Sequence, residues 1–349
     1  VSDLVAEDAD ADAVAALDLP RDRTAWLDAV ADSPLVGAGR PFQVEADAVY
    51  TTRYHHYETQ LAEGLVTRLV EHRPAAHPEL LAAGLQALFH SDHQPDRQQI
   101  AAATSALRGL TVISGGPGTG KTHTVSRVLA LLWAQWAADR TDGIGPRVAL
   151  AAPTGKAAAR MSEAIANGRE LLLSQVAGAL PEGRTAEDVG RFFDSLRPTT
   201  LHRLLGFQPA SPTRFRHNAA HPLPHDVVLV DEASMVDVAL MAKLVDAIAP
   251  DARLVLLGDK NQLASVEAGT VLADIAGPVT PDPFTLSEPL VGALADVGID
   301  LPDVETRPPG PQDGIALLTV SRRFTADSGI GHFARACLSG VSGEAAIGV

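Results

Sequence analysis

Gly115-Gly116-Pro117-Gly118-Thr119-Gly120-Lys121-Thr122 lies between an apolar run, Leu110-Thr111-Val112-Ile113-Ser114, and a long apolar-rich stretch from Thr122 to Trp136. The octet fits G-x-x-x-x-G-K-[ST] in the context that pattern needs, a strand before it and a helix after it. Glycines let successive backbone N–H groups turn inward around phosphate oxygens, and the helix N-terminus adds positive potential. Gly115, Gly116, Pro117, Gly118, Thr119 and Gly120 form the cradle. Lys121 is placed to reach the outer phosphates and the Thr122 hydroxyl to ligate Mg²⁺. The pattern implies a site for a nucleoside triphosphate.

A second motif starts 110 positions after Lys121. Val227-Val228-Leu229-Val230 reads as a buried strand and runs into Asp231-Glu232-Ala233-Ser234. Ligands of open α/β sheets bind at the C-terminal ends of strands, which is where these acids emerge. Asp231 there suits Mg²⁺, held directly or through water, and Glu232 suits activation of an attacking water. A third apolar run, Arg253–Leu257, ends in Gly258-Asp259-Lys260-Asn261-Gln262-Leu263. If its strand neighbours the other two, Asp259 lies at the nucleotide and Gln262 is placed to sense the terminal phosphate.

Between Asp96 and Gly277 helix and strand patterns alternate. The strands are predicted at 110–114, 147–152, 227–231 and 253–258, and the helices at 98–107, 122–136, 155–166, 238–248 and 269–275. Strands separated by helices imply an α/β fold, a parallel sheet covered on both faces. Residues 20–92 are predicted to be mainly helical, with apolar periodicity over 57–70 and 78–89.

The chain has 349 residues, 46% of them hydrophobic, enough for two or three domains. No apolar run approaches the roughly 20 residues of a membrane span, so no membrane association is expected. The single cysteine, Cys337, excludes an internal disulfide and suits a reducing cytoplasm. The net charge of −15 argues at first against a nucleic-acid partner, but it is unevenly spread. Residues 1–19 carry six acids and no base, and 279–313 carry seven acids and one base, so the remainder is close to neutral at −3. A local anion-binding groove is compatible with that distribution.

The segments GGPGTGKT, APTGKAAAR (151–160), TTLHRLLG (199–206), VDEASMVD (230–237), GDKNQLASVEAGTVL (258–272) and SRRF (321–324) together resemble a superfamily 1 DNA helicase. More closely they resemble the RecD family, the alpha subunits of exodeoxyribonuclease V, over about 34–340. The resemblance implies a RecA-like P-loop core preceded by a helical partner-binding domain. It also implies ATP with Mg²⁺, 5′-to-3′ movement on single-stranded DNA at duplex ends, RecB-like and RecC-like partners, and a role in recombinational repair. It assigns Gln98 to adenine, and Thr154, Gly155, Lys156, Thr200 and His202 to DNA. Arg323 is expected to reach the terminal phosphate from a second motor domain, and residues 206–226 to form a hairpin near the point of strand separation. Arg160 is expected to be a solvated helix residue.

The expected organisation is an acidic tail (1–19), a helical domain (20–92), a RecA-like domain (93–277), a Pro-rich acidic linker or insert (278–313) and the start of a second RecA-like domain (314–349). The chain is therefore expected to stop about 35 residues into that second domain. Two rival readings are a stand-alone RecD-like helicase and a non-motor ATP-binding subunit.

Overall fold

The computed structural model describes residues 22–70 (side chains through Arg68), 77–89, 95–140, 145–209, 214–262, 271–277, 279 and 284–321. The chain forms two compact units that part between Ala62 and Glu63.

The first unit opens with α1, Arg23–Ala31, whose first turn is capped by Asp22 accepting from the Ala25 N–H at 2.9 Å. A two-stranded antiparallel ribbon follows, β1 Phe42–Glu45 and β2 Ala48–Thr51, registered Phe42 against Thr51 and Glu45 against Ala48. This ribbon interrupts the helical run expected over 20–92. Each strand has only four residues, too few for alternation to stand out from sequence. Helix α2, Thr52–Val70, begins directly after β2 and carries the chain across the unit boundary.

The second unit continues with α3 Pro78–Leu88, α4 Arg97–Leu107, β3 Leu110–Gly115, α5 Lys121–Ala138, β4 Val148–Ala152 and α6 Gly155–Gln175. Then come a 3₁₀ turn at Val176–Ala179, α7 Ala186–Ser195, β5 Thr199–Thr200, α8 Leu201–Leu205 and β6 Val227–Val230. A second 3₁₀ turn, Ala233–Met235, leads into α9 Val238–Ala247, β7 Arg253–Gly258 and α10 Val271–Ala276. The described chain closes with β8 Thr285–Ser287, α11 Glu288–Ala295, β9 Glu305–Arg307, a third 3₁₀ turn at Pro311–Gly314, and β10 Ile315–Leu318.

Six strands form one sheet in the order β10-β3-β7-β6-β4-β5, all parallel. Every residue of β3, β6 and β10 is buried, as expected of strands covered on both faces. The order matters for the site. β7 lies between β3 and β6, so the segment after Gly258 emerges between the phosphate loop and the acidic motif. The condition placed on Gln262 by its sequence is therefore met.

The core gathers α3, α4, α5, α6 and α7 against the sheet around the fully buried Trp133. Leu81, Leu85 and Leu88 of α3 are in this same core, each contributing about 1.5–3 kcal/mol by burial. Helix α3 was expected to belong with the N-terminal helical domain, yet its apolar stripe joins the P-loop core. Residues 285–314 also differ from an open linker, since Leu286, Leu290 and Leu294 enter the core. Buried Asp313 accepts from Ser287 Oγ at 2.7 Å and pairs with Arg307 at 2.8 Å, which fastens both ends of this segment.

The expectation that Ile315 opens a second domain is corrected. Ile315–Leu318 pairs in parallel with Val112–Gly115 as the edge strand of the first sheet. Its four apolar residues find both faces already covered there. A β-carbon on Gly115 would lie 2.9 Å from both the Cβ and the carbonyl oxygen of Leu318, so glycine is what admits β10 at this level. Residues 322–349, including Arg323, lie outside the described residues.

At the opposite end of the sheet from the motifs, Arg68 in the last turn of α2 is 5% exposed. Its guanidinium donates to the carbonyls of Val245, Ile248, Ala249, Pro250 and Ala252. Val245 and Ala249 also accept from the backbone N–H groups of Ile248 and Ala252, so the guanidinium is a second donor to those two carbonyls. Burial lowers the Arg68 pKa, and Asp251 opposes that shift.

Candidate functional site

One cleft of about 980 Å³ opens at the C-terminal ends of β3, β6 and β7. It is walled by Gly116–His123, Ala157, Arg160, Met161 and Ala164 together with Asp231, Glu232, Asp259 and Gln262. The structure thus brings together the phosphate loop, both acids of the second motif and both named polar residues of the third.

Gly118 and Gly120 adopt φ +79° and +85°, left-handed values that turn the loop's N–H groups inward. Lys121 begins α5, and its ammonium donates to the carbonyls of Gly115 and Gly116, the latter at 3.2 Å. Thr122, in the first turn of α5, and Asp231 face the same cleft. An alcohol and a carboxylate are hard oxygen donors that fit Mg²⁺. Burial pushes the Asp231 carboxyl above the usual carboxylate range, and the neighbouring Glu232 charge adds to the rise. Its hydrogen bond from the Glu232 N–H, 2.9 Å, and the Lys121 charge act in the opposite direction.

Glu232 itself sits at φ +53°, ψ +38°, a left-handed conformation uncommon for a residue with a side chain. Such strain persists only where the surroundings hold it. Here the following turn is pressed against the end of β7. A β-carbon on Gly258 would lie 3.0 Å from the Ser234 nitrogen and would collide with Leu272.

Gln98, the residue expected at adenine, lies beside the phosphate loop. It is 6% exposed, and its Nε2 donates to the Thr119 carbonyl at 2.8 Å. It is not among the residues walling the cleft. Asp96 caps α4 by accepting from the Gln98 and Gln99 N–H groups, which sets this register. In this arrangement the Gln98 side chain braces the phosphate loop from behind, against Gly120, where a β-carbon would strike it.

A family model described as an AAA domain matches residues 98–268. The RecBCD enzyme subunit RecD of Mycolicibacterium smegmatis is 46% identical over 263 residues, covering 74% of this chain and 43% of that protein. The RecBCD enzyme subunit RecD of Haemophilus influenzae is 35% identical over 299 residues, covering 83% of this chain and 43% of that protein. The chain is homologous to these RecD subunits over about three quarters of its length. The ATP-dependent RecD2 DNA helicase of Deinococcus radiodurans is 40% identical over a shorter 167 residues, 48% of this chain and 18% of that protein. The chain spans less than half the length of these curated relatives. The α/β core with its parallel sheet and phosphate loop is the RecA-like P-loop NTPase fold.

The RecD-family segments expected at DNA also converge. β4 and β5 are neighbours, with Ala152 paired to Thr200, so the residues after both strands share one edge of the sheet. The Thr154 hydroxyl caps α6 by accepting from the Ala157 N–H at 3.2 Å, and the Thr200 hydroxyl caps α8 by accepting from the Arg203 N–H at 3.3 Å. Both hydroxyls therefore have structural work. Lys156 and His202 are exposed, and a side chain on Gly155 would meet open space. His202 packs edge-on against Phe207 and Phe215, with ring centroids 5.9 and 5.7 Å away. Those two phenylalanines also form an antiparallel bridge in the 206–226 segment, of which 210–213 lie outside the described residues.

Sequence reasoning missed two kinds of residue. Arg160 was expected to be merely solvated. It is exposed, but it also stands on the cleft wall one helical turn beyond Lys156. The capping Thr154 fixes the phase of α6, so that placement was readable from i,i+4 spacing. Ser234 and Ser114 gave no signal. The Ser114 hydroxyl accepts from the Lys260 N–H at 3.0 Å, joining β3 to the third motif across the sheet. Arg323 and the segment 263–270 lie outside the described residues.

Proposed function

We propose that this chain is the ATP-binding motor portion of a RecD-type 5′-to-3′ DNA helicase. It would act in a RecBCD-type complex with RecB-like and RecC-like partners on single-stranded DNA at duplex ends, in recombinational repair. The observation that carries this reading is the single cleft holding Lys121, Thr122, Asp231, Glu232 and Gln262 at adjoining strand ends. A RecBCD-type assignment is favoured over a stand-alone helicase because the match to the RecD subunits is longer than that to the RecD2 helicase.

In this reading the loop N–H groups and Lys121 hold the triphosphate, and Thr122 with Asp231 holds Mg²⁺. When bound, that ion neutralises charge developing on the phosphates. Glu232 accepts the proton of the water that attacks the terminal phosphorus, and Gln262 donates its amide N–H to a terminal phosphate oxygen. Arg323 is assigned to the same phosphate from the second motor domain, and Asp259 lines the nucleotide cleft. No helix among the described residues is long and apolar enough to cross a membrane.

Glu232→Gln is expected to retain nucleotide affinity within a few-fold while turnover falls about 10²–10⁴-fold, because only proton acceptance is lost. Binding of a fluorescent ATP analogue separates the outcomes. If the variant no longer binds the analogue, Glu232 is part of the binding surface and its catalytic role is wrong.

Single-stranded DNA is assigned to the edge beside β4 and β5, through the Thr154–Lys156 turn and the Thr200–His202 turn. Lys156→Ala combined with His202→Ala should weaken oligo-dT binding about tenfold and make its salt dependence shallower, because a phosphate contact is lost. Nucleotide affinity should not change. Equal oligo-dT affinity in variant and parent across a salt series would rule out this edge. DNA-stimulated ATP hydrolysis tests the function as a whole, in a form of the protein carrying the full length of its relatives. A hydrolysis rate indifferent to DNA would favour the non-motor reading.

A further inference from the structure

Beyond the residues assigned above, the Ser234 hydroxyl donates to the Gln262 amide oxygen at 2.8 Å. Ser234 is 9% exposed, whereas Gln262 is exposed and stands on the cleft wall. The two belong to different motifs, at the ends of the neighbouring strands β6 and β7, where Val230 pairs with Leu256. We propose that Ser234 is a positioning residue that orients the Gln262 amide toward the terminal phosphate and ties it to the strained Glu232 turn. This rests on the nucleotide role given to Gln262.

The chemistry fixes the orientation. An ionised phosphate offers acceptors only, so Gln262 can meet it only through Nε2. The other end of the amide, Oε1, then needs a donor, and the Ser234 hydroxyl supplies it. Without that donor the amide can turn over and present oxygen to the phosphate, which is repulsive.

The backbone contributes the second half of the joint. The turn that follows Glu232 abuts Gly258 closely enough that a β-carbon there would lie 3.0 Å from the Ser234 nitrogen. The Met235 N–H closes this turn onto the Glu232 carbonyl at 3.0 Å, and Glu232 is held at φ +53° just before it. A displacement of Gln262 when the terminal phosphate leaves is therefore passed through Ser234 to the residue placed to activate water. Phosphate sensing and water activation are linked by one side-chain hydrogen bond across two strand ends.

The test compares the affinities of this chain for a fluorescent non-hydrolysable ATP analogue and the matching ADP analogue, both with Mg²⁺. Ser234→Ala should weaken the ATP analogue about tenfold, the scale of one hydrogen bond to a charged partner's donor, and leave the ADP analogue unchanged. Gln262→Ala should do the same, and the double variant should be no worse than Gln262→Ala alone. Ser234→Thr, which keeps the hydroxyl, should restore the ATP-to-ADP ratio. A Ser234→Ala variant that weakens both analogues equally, or that adds to Gln262→Ala, has a general packing role and overturns the proposal. If Gln262→Ala leaves the ratio unaltered while Lys121→Ala weakens both analogues, the phosphate loop stands, and the Gln262 role falls together with this one. If the parent binds neither analogue, the nucleotide reading itself fails.

Discussion

Lys121→Ala is expected to reduce ATP hydrolysis by about 10²–10³-fold in a form of the protein carrying the full length of its relatives. The reasoning is electrostatic. Lys121 leads α5 at the mouth of the phosphate loop, with its ammonium already gathered against the Gly115 and Gly116 carbonyls. A triphosphate entering the cleft meets three carboxylates that line it, Asp231, Glu232 and Asp259. Lys121 is the cation fixed within the loop itself, and the negative charge of the terminal phosphate shifts during transfer. Loss of a fixed donor aimed at such charge is worth roughly 3–4 kcal/mol of barrier in a water-excluding site. The α5 N-terminus and the loop N–H groups survive the substitution, so binding should weaken less than turnover. The measurement is steady-state phosphate release together with affinity for a fluorescent ATP analogue. Hydrolysis within a few-fold of the parent would mean that this loop does not carry the reaction.

The second large effect falls on stability. Arg68→Ala is expected to destabilise the chain by about 3 kcal/mol or more, because several buried carbonyls lose a charged donor at once. Arg68 reaches five carbonyls between Val245 and Ala252, at the end of α9 and the entry to β7. A methyl group cannot replace those bonds, and at the buried Val245, Ile248 and Ala252 water has little access to do so. Arg68→Lys should recover only part of the loss. Lysine offers three donors from a point charge, where arginine offers five in a planar fork. Urea unfolding read by circular dichroism gives the number. A loss below about 0.5 kcal/mol would show that the carbonyls find other donors and that the arginine is not what closes this end of the sheet. The affected end lies opposite the cleft, so nucleotide affinity of the folded Arg68→Lys variant should match the parent.

These two residues mark the difference between what the sequence alone determined and what required the tertiary structure. Lys121 was legible because the phosphate loop is local: strand, glycine turn, lysine and helix follow one another within a few residues. The four sheet strands read from apolar runs between turn signals, Leu110–Gly115, Val148–Ala152, Val227–Val230 and Arg253–Gly258, fall where they were expected to within one residue at either end. The same locality made the acidic pair Asp231-Glu232 readable, because strand ends are where α/β sheets present ligands.

What the sequence left open depends on contacts between distant segments. The placing of β7 between β3 and β6 had been only a condition, and the pairing registers decide it. Ile315–Leu318 was read as the opening of a new domain, because four apolar residues after a Pro-rich stretch carry no sign of which sheet they will join. Gln98 was assigned to adenine from its motif, and its contact with the Thr119 carbonyl, 21 residues along the chain, was not readable there. Arg68 and Ser234 belong to no periodic or spaced pattern that names their partners, which lie 177 to 184 and 28 residues away along the chain. Hydrophobic period and turn chemistry act over a few residues and so are written in the sequence. Hydrogen bonds made by single polar side chains depend on where the backbone returns, and only the packed fold determines that.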